Sequence, residues 1–265
     1  MSKYLLSGSL AEPGLQFLRL AAKSKLELKC LIAKRKWPNR IDRSQLIVSG
    51  LGGIPAQLPI TAESLRDHGR ILKPLLKPIL EGLDGVLFFC QDVPAQLGFR
   101  ISNDLDKIVL SALQESTPSP RILVLTKIPG RYLGRYHPWR GTQERLAWPP
   151  AEMKDFLDMV ENAQGVDWTI VRSAQCLDDR FDQESSDRRA EIPPKGGIAV
   201  GANSDSAIWW DDLSSVLLEV LKTDGLTGRT LDVQSVKPTK DNNIKKVLAE
   251  VAASPKKKSD TDESV

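Results

Sequence analysis

The chain has 265 residues, 41% hydrophobic and 27% charged, with a formal net charge of +3. That suits one large domain, or a domain with a lobe, of ordinary globular composition. So small a net charge, with only short basic clusters, argues against nucleic acid as a partner, and no apolar run approaches a membrane span. The three cysteines, Cys30, Cys90 and Cys176, are too few for a disulfide framework and lack metal spacing, so no metal site is expected. Cys30 and Cys90 lie in apolar runs and read as small buried hydrophobes. A reducing, cytoplasmic compartment is the expectation. The first strand begins near Lys3, which leaves no room for a leader peptide ahead of it.

The pattern alternates strand and helix. "KYLLSG" reads as a first strand, and "LQFLRLAA", with Leu15, Leu18 and Ala22 at helical spacing, as an amphipathic helix over about 14–24. "LELKCLIA", Leu26 to Ala33, is a second strand that ends in a basic run, and "QLIVSG", Gln45 to Gly50, a third. A polar, proline-broken helical stretch follows and ends in "LKPLLKPIL". "DGVLFFC", Asp84 to Cys90, is the fourth strand. "NDLDKIVLSALQES" predicts a helix capped by Asn103 or Asp104, with Leu105, Ile108, Val109, Ala112 and Leu113 on one face. "RILVLT", Arg121 to Thr126, is the fifth strand. After a long irregular loop, 129–150, come the helix "AEMKDFLDMVENA" and the sixth strand, "DWTIVR", Asp167 to Arg172. These strands are apolar runs bounded by turn residues, as strands buried on both faces are, so the fold class is α/β: a doubly wound parallel sheet with helices on both sides.

Beyond Arg172 the alternation weakens. A charged loop, "DDRFDQESSDRR", and a short apolar piece, "GGIAVG", lead to "WWDDLSSVLLEVLKTDGLTGRTLDV", read as a capped helix, a turn and a last strand. Trp209 and Trp210 open that helix, one as core and the other toward the cleft. Residues 1–251 are expected to form a single domain, with 173–251 as a small lobe beside the open edge of the sheet. The polar tail 252–265 is expected to be disordered.

A glycine-containing turn between a first strand and a first helix is a common dinucleotide site. Here that turn is Ser7-Gly8-Ser9-Leu10-Ala11-Glu12-Pro13-Gly14. With "DWTIVRS", "DDLSSVLLEVL" and "GRTLDV" in order and at spacing, the chain resembles the atypical short-chain dehydrogenase/reductases, in particular the NmrA-like NAD(P)-binding group, over about residues 3–236. The resemblance implies a Rossmann-like fold and a dinucleotide ligand. It places Ala11 where the family has its middle glycine and Ser173 where the sixth strand has a proline.

Each turn position has a physical meaning. Gly8 permits the tight turn off the strand, Gly14 lets the helix pack close to the sheet, and backbone at Ser9, Leu10 and Ala11 would approach the pyrophosphate. Pro13 is acceptable where a helix N–H would be unpaired anyway. Glu12 lies where the helix end attracts anions, and two roles stay open: it points to solvent, or it takes the anion's place and repels phosphate. The end of the second strand carries Lys34, Arg35 and Lys36 and no acid, which favours the 2′-phosphate of NADP(H) over NAD. A plain solvated basic strand end is the competing reading. After the third strand the family's Gly-Asp pair is Gly50-Leu51, so the aspartate that helps to hold the adenine is missing.

The dehydrogenase superfamily uses Tyr-x-x-x-Lys with a Ser or Thr after the fifth strand, the tyrosine as general acid. Aligned from "WTIVR", the lysine is Lys154, the hydroxyl is Thr126, and the tyrosine position is Pro150, which has no proton to give. Tyr132 and Tyr136 lie in the 129–150 loop and read as ordinary loop aromatics, with substitution for the missing tyrosine as the weaker reading. His68 and His137 have no partner motif. The loop's arginines, tyrosines and tryptophans suit covering a nicotinamide or docking a protein. Two readings of function follow. One is an NAD(P)(H)-binding protein with weak or absent catalysis, a cofactor-sensing regulator or assembly subunit. The other is an NADPH-dependent oxidoreductase acting on a small carbonyl or quinone-like substrate.

Overall fold

The structure is a computed structural model that describes residues 2–8, 12–24, 26–31, 72–90, 97–115, 120–137, 142–173, 175–177, 193–203 and 206–255. Its elements in chain order are β1 (Lys3–Gly8), α1 (Glu12–Lys23), β2 (Glu27–Leu31), α2 (Leu72–Leu80), β3 (Gly85–Phe89), α3 (Leu97–Gln114), β4 (Arg121–Lys127), β5 (Gly130–His137), β6 (Thr142–Trp148), α4 (Ala151–Glu161), β7 (Trp168–Ser173), β8 (Gln175–Leu177), β9 (Gly197–Val200), β10 (Ala207–Trp209), α5 (Trp210–Val220), β11 (Arg229–Val236) and α6 (Ile244–Ala253).

Seven of the described strands form one sheet in the order β2-β1-β3-β4-β7-β11-β9. Every neighbouring pair is parallel except β11 with β9. The period of two along each strand sends alternate residues to opposite faces, and both faces are buried. Leu6, Leu87, Phe89, Leu123, Leu125 and Val171 pack with Phe17 and Leu18 of α1 and Leu213 and Leu217 of α5. Leu5, Val86, Phe88, Ile122, Val124 and Ile170 pack with Leu76 of α2, Val109 and Leu113 of α3 and Phe156 of α4. Helices therefore cover both sides of a mainly parallel sheet, a Rossmann-like α/β fold. Each large side chain so enclosed stabilises the fold by about 1.5–3 kcal/mol relative to exposure.

Several sequence expectations shift. Helix α1 begins at Glu12, so Glu12 and Pro13 belong to its first turn; among its residues whose burial is described, Phe17, Leu18 and Ala21 are buried. Neither Asn103 nor Asp104 caps α3; the helix starts at Leu97 and runs through both. The physical reason is that Leu97 and Ile101 carry the apolar i, i+4 spacing upstream of Leu105. Helix α5 has Trp209 at its N-cap and no side-chain cap, although Asp211 and Asp212 supply negative charge in its first turn. The loop expected over 129–150 contains an antiparallel hairpin of β5 and β6, with a register shift between Leu133 and Tyr136.

The C-terminal part adds β11 and β9 to the sheet itself, beyond β7, and pairs β8 with β10 in a small separate ribbon. Helix α6 continues to Ala253, one residue past the expected start of the tail, and Asn243 caps it by accepting a hydrogen bond from the Lys245 amide. The third strand, Gln45 to Gly50, and the tail after Pro255 lie outside the described residues.

Candidate functional site

In an open α/β sheet, ligands bind outside the carboxyl ends of the strands, where the strand order reverses. Among the described strands that point is β1, which has β2 on one side and β3 on the other. Strand β1 ends at Gly8 and α1 begins at Glu12, so the expected glycine turn lies at this crevice. The first amides of a helix have no partner within it and face outward. Of the first three residues of α1, Pro13 has no N–H, so Glu12 and Gly14 supply the donors. The unpaired amides and positive potential of such a helix start favour an anion.

Beneath the turn lies a buried polar group. The hydroxyl of Ser7, fully enclosed, donates to Oδ1 of Asp106 at 2.6 Å. Asp106 comes from α3 and is only 2% exposed. The thiol of Cys90, the residue after β3, stands 4.0 Å from the other carboxylate oxygen. The Cys90 amide in turn donates to the carbonyl of Leu125 on β4 at 2.7 Å. One helix residue thus ties together the carboxyl ends of β1 and β3, the two strands that flank the crevice. Cys90 is buried as expected, and Cys176 is half-buried with its sulfur 3.3 Å from the Ser173 hydroxyl.

A polar row continues along the same face. Thr126 follows Ile122 and Val124 by the strand period, so it stands on the face covered by α3 and α4. In register, Thr126 lies beside Arg172 of β7, and Arg172 beside Asp232 of β11. Arg172 donates from Nε to Oδ1 and from Nη2 to Oδ2 of Asp232, at 2.5 and 2.8 Å. Two motifs used for the resemblance, "DWTIVRS" and "GRTLDV", therefore meet through one ion pair.

Thr126 is wholly buried, whereas Lys154 is exposed on α4. The inward residues of α4 are Met153, Phe156 and Val160. Pro150 is the N-cap of α4, extended at φ −66° and ψ 158°, and its carbonyl accepts from the amides of Met153 and Lys154. The position at which the resemblance implies a tyrosine is thus a helix start occupied by proline. Tyr132 and Tyr136 are on β5, opposite Leu146 and Gln143 of β6, and His137 ends that strand.

The late motif has a structural role. Asp212, 6% exposed, accepts from the Gly196 amide and from the Ser235 hydroxyl at 2.6 Å. Ser235 accepts from the Trp209 amide, and the indole of Trp209 donates to the Pro193 carbonyl at 2.6 Å. Trp209 is buried, and Trp210 is partly buried against the core cluster that holds Ile208, Leu213 and Leu217.

Ser9, Leu10, Ala11, Lys34, Arg35, Lys36, Gly50, Leu51 and His68 lie outside the described residues. The structure ends β1 at Gly8 and opens α1 with Glu12 and Gly14; Asp106 and Cys90 meet at the ends of β1 and β3, while Arg172 and Asp232 stand farther along the sheet on β7 and β11. Asp106 left a signal in the sequence: it shares the helical stripe of Val109, Leu110 and Leu113, where an acid interrupts an apolar face. The partnership of Arg172 with Asp232, 60 residues apart, left none.

No known family profile matches the chain, and no curated protein matches it. Among solved structures it is similar to a provisionally assigned NAD-dependent epimerase/dehydratase from Bacillus halodurans, with TM-score 0.54 and 15% identity, covering 95% of this chain and 100% of that one. It is similar also to the oxidoreductase ylbE from Lactococcus lactis, with TM-score 0.56 and 13% identity, covering 94% and 96%. A third is an anaerobillin reductase from Escherichia coli O157:H7, with TM-score 0.53 and 12% identity, covering 90% and 100%. At these identities the likeness is one of fold, and it extends over nearly the whole chain.

Proposed function

We propose that this chain binds a nicotinamide dinucleotide, NADP(H) ahead of NAD, at the carboxyl ends of β1 and β3, and that it serves as a cofactor-sensing regulator or assembly subunit with weak or absent catalysis. One observation carries the reading: β1 ends in Gly8 at the strand-order reversal, and α1 starts three residues after the turn opens, with Glu12 and Gly14 offering amides to a diphosphate. The fold neighbours include a protein provisionally assigned as an NAD-dependent epimerase/dehydratase and two described as reductase or oxidoreductase, which is consistent with that ligand.

When bound, the nicotinamide would supply hydride chemistry; the chain's own residues do the positioning. Gly8 and the start of α1 would hold the pyrophosphate, and Lys34 and Arg35 would meet the 2′-phosphate. Weak chemistry follows from what stands near the family's catalytic set. Pro150 has no proton, Thr126 is enclosed, and Lys154 is exposed without the tyrosine whose pKa it would lower. We place the protein in the cytoplasm as a single domain over 1–251 and assign protein contacts to the 129–150 segment, whose β5–β6 hairpin stands outside the main sheet.

The test is a calorimetric titration of the purified chain with NADPH and, separately, NADH. Micromolar binding of NADPH with much weaker NADH is expected. Absence of binding of either at millimolar concentration would overturn the ligand. Turnover of NADPH with a panel of quinones and aldehydes would overturn the non-catalytic role and leave the oxidoreductase reading in its place.

A further inference from the structure

We propose that Asp106 is a positioning residue for the dinucleotide turn, acting through Ser7. The inference rests on the dinucleotide reading above and deepens it. A carboxylate is costly to bury, and a leucine at this point of the α3 stripe would pack without that cost. Asp106 is nonetheless 2% exposed. The compensation is specific: the Ser7 hydroxyl reaches it at 2.6 Å from β1, 99 residues away, and the Cys90 sulfur approaches the second oxygen from the end of β3. Ser7 is the residue before Gly8, where β1 ends and the turn begins. Its register partner on β3 is Phe88, so the carboxylate clamps the two strands one residue before the last of each.

A diphosphate is held by backbone amides whose directions are set by where the strand stops. A small swing at Ser7 and Gly8 moves those amides relative to α1. Asp106 removes that freedom. Its effect on cofactor affinity therefore travels through the hydroxyl of Ser7, and a side chain of the same shape that still accepts that hydrogen bond replaces it.

The experiment compares D106A, S7A, the double variant and D106N in the full chain, each titrated with NADPH well below its own unfolding temperature. Hydrogen exchange of peptides over 3–17 is followed beside a control over 229–236. The expected result is a loss of NADPH affinity of about tenfold in D106A and in S7A, no greater loss in the double variant, and a value within about threefold of the native one in D106N. Exchange over 3–17 rises in D106A and S7A while the control stays unchanged. Affinity in D106A within about twofold of native, or additive losses in the double variant, would overturn the inference. Should D106A fail to fold, S7A decides by the same criteria. Should the native chain bind no NADPH, the function proposed above falls and the cofactor role of Asp106 with it, and exchange then decides only whether Asp106 fixes the end of β1 through Ser7: a selective rise over 3–17 supports that, and a uniform or absent change overturns it.

Discussion

Arg172 and Asp232 face each other across β7 and β11 as register partners and close a two-pronged ion pair, 30% and 23% exposed. The pair joins the last parallel strand to the body of the sheet on the face covered by α4. Replacing Arg172 by alanine is expected to cost about 1–2 kcal/mol, because a half-buried carboxylate loses both donors while solvent screens part of the loss. Urea denaturation measures it. The R172M/D232L double variant is expected to recover much of the loss.

Phe88 of β3 and Phe156 of α4 are both fully buried and meet edge to face, ring centres 5.2 Å apart. F156A should destabilise by about 3–5 kcal/mol. With total stability of about 5–15 kcal/mol for a domain, that loss should appear as a large drop in the denaturation midpoint. F156L, which refills much of the volume, should lose clearly less.

Gly85 opens β3 beneath the ring of Tyr4. A Cβ there would lie 2.9 Å from the Arg121 carbonyl oxygen and 2.9 Å from the Tyr4 ring. The backbone oxygen is fixed by the sheet, so the strand must shift. G85A is expected to cost about 1–3 kcal/mol by overpacking, read as a lowered melting temperature. A paired Y4A change relieves only the ring contact and should not restore stability.

Glu161 ends α4, and partial burial pushes its carboxyl pKa up, with Asp158 adding in the same direction and Arg172 opposing. A raised folded-state pKa means that the charged form is less favourable in the fold than in the unfolded chain. The stability linked to this group is therefore complete below the unfolded value of about 4.3 and is lost as pH rises through the folded one. E161Q should be more stable than the native chain at neutral pH, and the advantage should shrink as pH falls toward that unfolded value. An unchanging difference across the range would show that the charge is not the cause.

The proposed function has Lys34 and Arg35 meet the 2′-phosphate. The K34A/R35A variant should bind NADPH at least about tenfold more weakly and leave NADH affinity within about twofold of the native value. Equal loss for both cofactors would mean that the basic pair reads no 2′-phosphate. Calorimetry with the two cofactors side by side gives the answer.

The sheet was legible from the chain because its strands are apolar runs between turn residues, and the buried faces of Ile108, Val109, Ala112 and Leu113 could be read from helical spacing. Strand β1 and helix α1 were legible for the same local reason: an apolar run and a helical stripe follow one another within a few residues. Boundaries were less so, since the stripe that continues through Leu97 and Ile101 overrode Asn103 and Asp104 as caps. The hairpin within 129–150 was hidden because β5 and β6 hold each other by backbone pairing, which composition alone does not display.

Local pattern, then, determined the α/β class and the order of strand and helix at the start of the chain, because each is a property of neighbouring residues. Only the tertiary structure decided that Asp106 clamps Ser7 beside Cys90, that Arg172 binds Asp232, and that β9 and β11 extend the sheet. Those partners lie far apart in sequence and meet only when strand order and register fix their places. A buried charge is worth keeping only once its distant partners have arrived.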